Sequence, residues 1–144
     1  MDITFKSLTD FEKGYVTAAL WTFDDSAPSG EYSTSGRVET LFPLIDQAAL
    51  QSMRDDCTKF QADNKELLAQ AGKDSQNGHD FWLTRNHHGS GFWDRDYDKE
   101  VIVNFAILSV GDVLTDKAHA FGESDIYMGD SVKYSGTQKI FVFP

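Results

Sequence analysis

The sequence has a single cysteine, three prolines and no long hydrophobic run. Cys57 alone cannot form an internal disulfide, and a cysteine-rich zinc site is excluded for the same reason. Apolar residues nowhere run on for the roughly 18 to 20 positions that a membrane-spanning helix needs. Met1-Asp2-Ile3-Thr4 also differs from the basic start of a secretion signal. We therefore expect a cytoplasmic protein with no membrane partner.

Positive charge is scarce as well. Lys and Arg number 13 against 23 Asp and Glu, which gives a formal net charge of -10 at pH 7. Broad binding to the phosphates of duplex nucleic acid requires a basic surface. The composition therefore argues against direct duplex binding. The acidic excess is spread along the chain rather than gathered in one run.

The remaining composition is that of a folded protein. The chain has 144 residues, of which 40% are hydrophobic and 13% aromatic, enough for one buried core. We expect a single α+β domain over residues 1–144. In it, helices pack on a small antiparallel β-sheet that has an aromatic hairpin at its centre.

Three segments have the pattern of helices. Thr9 and Glu12 form a capping box at the start of a helix over about Asp10–Trp21. A long amphipathic helix is predicted over about Asp46–Ala71, and a short one over Asp112–Phe121. The apolar stripe of the long helix consists of Leu50, Met53, Cys57, Phe60 and Leu67. Because Cys57 lies on this stripe, we expect a buried, unreactive thiol.

The other segments have the pattern of loops and strands. Residues 24–41 and 72–78 are rich in Gly, Ser and other polar types, which is typical of loops. Aromatic residues on both sides of a Gly-containing turn predict a β-hairpin over His79–Arg95, and Val101–Val110 predicts a buried strand. Short strands are predicted at Asp125–Met128, Val132–Tyr134 and Lys139–Phe143. We expect four aromatics of the hairpin to pack in the core: Phe81, Trp82, Phe92 and Trp93.

The stretch His79–Asp96, called the aromatic segment below, contains three of the four histidines. In the predicted hairpin, His79 and His88 would approach Asp94, and two imidazoles with a carboxylate can bind a divalent metal. This set supports one alternative, a metal-dependent hydrolase or nuclease. The sequence has no HExxH, GxSxG or phosphate-loop motif. We therefore expect a protein without catalytic residues or cofactor, and the metal set stays a weak candidate.

A second alternative is a protein that binds single-stranded nucleic acid. Exposed aromatics beside a positive groove can stack on unpaired bases. The residues that would do so are Trp82, Trp93, Arg85 and Arg95. Nearby acidic residues weaken this interpretation, since they oppose a positive groove.

The favoured interpretation is a protein-binding surface made of acidic and hairpin residues. Surface carboxylates can imitate nucleic-acid phosphates and occupy the basic site of another protein. On the long helix the candidates are Asp55, Asp56, Asp63 and Glu66. On the predicted hairpin they are Arg85, Asn86, Trp93, Asp94 and Arg95.

The aromatic segment also resembles a family of small acidic bacteriophage proteins. The run His79-Asp-Phe-Trp-Leu-Thr-Arg-Asn, followed by Gly91-Phe-Trp-Asp-Arg95, is similar to the family's "GHDFWLTRNGHGAGFWDRG". Residues 111–130 are similar to its "GDxLTxAAxxYGxxDLYVGDDG". The resemblance spans most of the chain from Phe11 to Tyr134.

Three departures from the family pattern stand out. His87 replaces the usual glycine, the segment 96–110 is longer and more apolar, and the tail after Tyr134 is additional. The two additions offer an extra strand or a homodimer contact. The resemblance implies a phage accessory protein in the host cytoplasm, with a host or phage protein as its partner. The expected use of such a protein is interference with nucleic-acid-handling or defence machinery. The resemblance carries over no catalytic residues.

Overall fold

The computed structural model describes residues 2–26, 37–95, 100–103, 106–130 and 138–143. Its first long helix, α1, spans Asp10–Ser26 and begins where the capping box predicted. The Thr9 amide donates to Glu12 Oε1 over 2.8 Å, and the Glu12 amide donates to Thr9 Oγ1 over 3.2 Å. These bonds satisfy amides that the start of a helix leaves without partners.

The prediction of a loop over residues 24–41 is wrong at both ends, where the chain is helical. Helix α1 continues through Ser26, and a short helix, α2, spans Arg37–Leu41. Residues 27–36 lie outside the described residues. A 3-10 turn over Phe42–Leu44 then leads the chain into the next helix.

The long amphipathic helix is confirmed, but it is interrupted. Helix α3 spans Gln47–Asp63 and helix α4 spans Lys65–Ala69, with Asn64 between them. After the break Leu68 is buried, whereas Leu67 only packs against the edge of the core. The four stripe residues before the break are buried as predicted: Leu50, Met53, Cys57 and Phe60.

The first part of the aromatic segment is a helix, and no strand forms over residues 86–95, so the hairpin predicted over His79–Arg95 is wrong. Helix α5 spans Asp74–Arg85, which also replaces most of the expected 72–78 loop. All residues from Asp80 to Arg85 are buried. A helix enclosed on all sides lacks the one-sided apolar pattern of a surface helix, and this enclosure hid it. After a loop, Phe92–Asp94 forms a 3-10 turn.

Helices α1 and α5 pack backbone against backbone. A Cβ atom at Gly14 would collide with the carbonyl oxygen of Ser75, and one at Gly78 would collide with that of Phe11. Both glycines are buried. The absence of two side chains therefore sets how closely these helices approach.

Two antiparallel strand pairs accompany the helices, so the α+β class is confirmed. Strand β3 spans Asp125–Asp130 and pairs with β4, Gln138–Phe143. The pairs Ile126–Val142 and Met128–Ile140 pack against the core, and Ile140 is completely buried. Both strands were predicted, while the strand expected at 132–134 lies outside the described residues.

The second strand pair projects from the start of a helix. Strand β1 spans Glu100–Val103 and pairs with β2, Ala106–Ser109. The prediction of one buried strand over Val101–Val110 is therefore wrong: the segment forms two strands, and β2 is largely exposed. Helix α6 follows over Val110–Ala120, which confirms the predicted short helix.

All the buried hydrophobic residues described, except Val113, form one cluster, and aromatic rings occupy its centre. The rings of Phe60 and Phe81 stack at 4.0 Å between centroids, and Phe92 lies 5.9 Å from Phe60 on a nearly parallel plane. This places α3, α5 and the 3-10 turn around the same aromatic stack. Within the described ranges, no helix combines the length and apolarity required to cross a bilayer.

Candidate functional site

Arg85 is the centre of a buried polar cluster. Its Nη1 donates to Asp56 Oδ2 over 2.8 Å and to the hydroxyl of Tyr15 over 2.9 Å. Its Nε donates to the carbonyl oxygen of Gly122 over 2.8 Å. Only 2% of the Arg85 side chain is exposed. The guanidinium thus ties together α1, α3, α5 and the end of α6.

Aromatic rings and charge keep this guanidinium ionised. It lies 5.5 Å from the centroid of Phe81 and 5.4 Å from that of Phe121. Burial alone would lower the pKa of Arg85, but Tyr15 and Asp56 outweigh it and raise that pKa. Burial also raises the pKa of the Tyr15 hydroxyl. Arg85 is therefore a fixed internal cation, unavailable to a binding partner.

A second ion pair connects α5 to the 3-10 turn. Arg95 Nη2 and Nε donate to the two carboxylate oxygens of Asp80 over 2.8 Å and 3.0 Å. His79 Nδ1 lies 3.9 Å from Asp80 Oδ1. Burial alone would raise the pKa of Asp80, but His79 and Arg95 outweigh it and lower that pKa. The bidentate pair holds the end of the aromatic segment against the helix.

Polar side chains also fix the loop between α5 and the 3-10 turn at Phe92–Asp94. The Ser124 amide donates to Asn86 Oδ1 over 2.7 Å, and the Phe92 amide donates to Thr84 Oγ1 over 3.1 Å. His87 has a φ of 58°, and its ring stacks on that of His119 at 4.3 Å. Three residues that were predicted to bind a partner therefore make internal contacts that hold the fold together: Arg85, Asn86 and Arg95.

The predicted metal ligands are not brought together. His88 and Asp94 are exposed, and His79 lies beside Asp80. In the ranges that the structure describes, no group of three His, Cys, Asp or Glu residues could hold a metal ion. The Cys57 thiol is buried, and burial raises its pKa well above the ordinary value of 9.0.

Three of the four predicted core aromatics are buried. Phe81 and Phe92 are fully enclosed, and Trp82 donates its Nε1–H to Thr22 Oγ1 over 2.9 Å. Trp93 is 49% exposed, so its predicted core position is wrong. With Trp82 and Arg85 buried, the stacking surface predicted for single-stranded nucleic acid loses half of its residues.

The acidic residues of the long helix divide into two kinds. Asp55, Asp63 and Glu66 are exposed. Asp63 pairs with Lys59 over 3.2 Å, while the neighbouring Asp56 is half-buried and bound to Arg85. Asp56 is therefore part of the internal cluster, and the other three remain surface charges.

The sequence did not reveal an exposed apolar pair on β1 and β2. Ile102 and Ile107 are 76% and 67% exposed, the highest values among the large hydrophobic side chains described. The two residues are directly opposite in the antiparallel register, so both side chains emerge on the same face. The sequence signal that could have favoured two strands over one is Asn104, a polar residue that interrupts the apolar run.

Comparison with known proteins gives no relative. No protein-family model matches the chain, and no curated protein or solved structure matches it significantly. The bacteriophage resemblance therefore stays a prediction.

Proposed function

We propose that this protein is an accessory protein without catalytic activity that binds another protein through the β1–β2 hairpin. The observation that carries the proposal is the exposed pair Ile102 and Ile107. Exposed apolar surface is costly in water, and contiguous patches of it commonly mark interaction sites. An isolated two-stranded hairpin is also marginally stable by itself. A partner that covers the isoleucines would remove both costs.

The edges of the hairpin suggest how a partner would bind. Among the described strands, β1 pairs only with β2, and the two form a sheet of their own. Each strand therefore has an outer edge whose backbone groups can pair with an added strand. Backbone pairing along an edge would place the isoleucine face against an apolar groove of the partner.

Charge indicates the character of that groove. Residues 94–100, which lead into β1, contain two basic residues, Arg95 and Lys99, and four acidic ones: Asp94, Asp96, Asp98 and Glu100. Together with the net charge of -10, they favour a partner with a basic rim around the groove. Basic surfaces are typical of nucleic-acid-handling proteins, which supports interference with such machinery as the use of this protein. A bacteriophage origin rests on the sequence resemblance alone.

A pull-down with matched variants tests the proposal. Tagged wild-type protein, an Ile102→Asp/Ile107→Asp variant and a Phe143→Asp control are incubated with host lysate, with and without nuclease treatment. Phe143 is 62% exposed on the other strand pair, so its replacement makes a comparable surface change. We expect a stoichiometric protein with the wild type and the control, and its loss with the double variant.

Two results would overturn the proposal. Equal capture by the double variant would place the interface elsewhere. Capture that disappears with nuclease treatment would show that nucleic acid is the bound species. Circular dichroism of all three proteins checks that the substitutions leave the fold intact.

A further inference from the structure

A cleft lies between the end of α3 and the end of α6, and its lining contains no residue of β1 or β2. Its volume is about 620 Å³, within the range typical of small-molecule sites. The lining residues are Lys59, Asp63, Asn64, Lys117, Ala120 and Phe121. The cleft thus combines two cations, one carboxylate, one amide and an aromatic wall.

The amide of Asn64 has an unusual hydrogen-bonding state. Its Nδ2 donates to the carbonyl oxygen of Phe60 over 2.9 Å, and its backbone amide donates to the same oxygen over 3.1 Å. Asn64 Oδ1 is buried and has no hydrogen-bond partner among the described residues. Exchanging the two amide atoms would set an oxygen against the Phe60 carbonyl, so the orientation is determined. A buried acceptor in this state is satisfied by a donor from outside the fold, either a water molecule or a ligand.

Two side chains of the cleft, those of Lys59 and Asp63, are exposed enough to move when a ligand binds. Residue Asn64 is 4% exposed, whereas the Lys59 and Asp63 side chains are 69% and 56% exposed. Their ion pair spans one turn of α3, and such exposed pairs contribute little free energy. Both side chains line the cleft together with Asn64, so they can rearrange around a ligand there at low cost.

We propose that this cleft binds a small molecule that has a flat apolar body, an N–H or O–H donor and an anionic group. The donor bonds to Asn64 Oδ1, the body lies against Phe121, and the anionic group faces Lys117. Phosphate and carboxylate compounds share this chemistry. The proposal is independent of protein binding through the hairpin, because purified protein alone tests it.

Nuclear magnetic resonance titration of the full chain provides the test. The probes are adenosine monophosphate, which supplies a phosphate, and indole-3-acetate, which supplies a carboxylate. Each has a ring and an N–H donor. We expect at least one probe to shift the side-chain amide signals of Asn64 and the backbone signals around Phe121. Binding of adenosine monophosphate alone would assign a phosphate ligand, and binding of indole-3-acetate alone a carboxylate ligand.

Two controls test the assigned contacts. Replacing Lys117 with Ala should weaken binding roughly tenfold, while Lys6→Ala, an exposed lysine elsewhere, should leave it unchanged. If indole-3-acetate binds, 1-methylindole-3-acetate, which lacks the N–H, should bind more weakly. If adenosine monophosphate binds, Asn64→Ala should weaken it.

The proposal is wrong if neither probe shifts the cleft signals at millimolar concentration. It is also wrong if binding is insensitive to both the Lys117 substitution and the loss of the Asn64 contact. These outcomes leave the proposal for the β1–β2 hairpin unaffected, because the pull-down tests that proposal separately.

Discussion

Gly14 of α1 and Gly78 of α5 lie at the crossing of their helices, and each fits against the backbone of the other helix. A methyl group at either position would meet a carbonyl oxygen of the partner helix rather than a flexible side chain. Because backbone cannot move aside locally, a substitution there must separate the two helices. The crossing in turn positions Tyr15 and Arg85, which are hydrogen-bonded to each other.

The first prediction concerns this crossing. Replacing Gly78 with Ala should lower the free energy of unfolding by about 3 kcal/mol or more, because it overpacks a backbone contact. Gly89 is the matched control, since a Cβ there would meet nothing within 4 Å. Urea unfolding of both variants makes the comparison. A Gly78→Ala variant as stable as Gly89→Ala would contradict the close crossing.

The second prediction separates Asp56 from its neighbour Asp55. Asp56→Ala should cost about 3 to 5 kcal/mol, because it leaves the buried Arg85 guanidinium without its carboxylate partner. Asp55 is exposed and accepts a hydrogen bond from Gln51, so Asp55→Ala should stay within about 0.5 kcal/mol of wild type. Thermal and urea unfolding measure both. Similar effects of the two substitutions would rule out the internal role of Asp56.

The third prediction concerns the backbone of His87. Its φ of 58° lies in the left-handed region, which costs a non-glycine residue about 1 kcal/mol. His87→Gly should therefore stabilise the protein by up to about 1 kcal/mol, less whatever the stack on His119 contributes. His88→Gly, one residue further, should be destabilising. Opposite signs in the two melting temperatures are expected, and a destabilised His87→Gly would show that the ring contact outweighs the backbone strain.

The fourth prediction is a pH dependence. The pKa of Asp80 is lowered below its ordinary value of 3.8, so the stability from this group is complete above about pH 4. It is lost as the pH falls through the lower pKa of the folded state. Asp80→Asn should therefore destabilise at neutral pH by an amount that shrinks in acid. Urea unfolding between pH 2 and 7 measures it, with exposed Asp94→Asn as control. A difference that grows in acid would contradict the ion pair.

Local signals predicted much of the helical and terminal structure. The Thr9–Glu12 capping box marked the start of α1, and the apolar spacing of Leu50 to Phe60 marked α3, since both depend on residues within one or two turns. Strands β3 and β4 were also predicted, where alternate residues such as Ile126 and Met128 face the core.

The aromatic segment could not be assigned from local pattern. Asp80, Thr84 and Arg85 are polar residues that only tertiary partners make compatible with burial, and those partners lie between 8 and 70 residues away in the sequence. Of these three residues, Arg85 was predicted as part of a binding surface, because its internal partners could not be seen from the sequence. Asp80 and Arg85 of this segment form internal ion pairs. The exposed apolar side chains, Ile102 and Ile107, lie instead in the apolar run that follows the segment.

Amide hydrogen exchange, measured on the free protein and with the protein captured from lysate, tests the central claim most directly. In the free protein, an isolated strand pair should exchange quickly, because little packing protects it. We predict that the amides of β1 and β2 become protected on binding, while those of α3 and α4 change little. Protection confined to the acidic residues of α3 and α4, with β1 and β2 unchanged, would contradict the account and place the partner on the acidic helix instead.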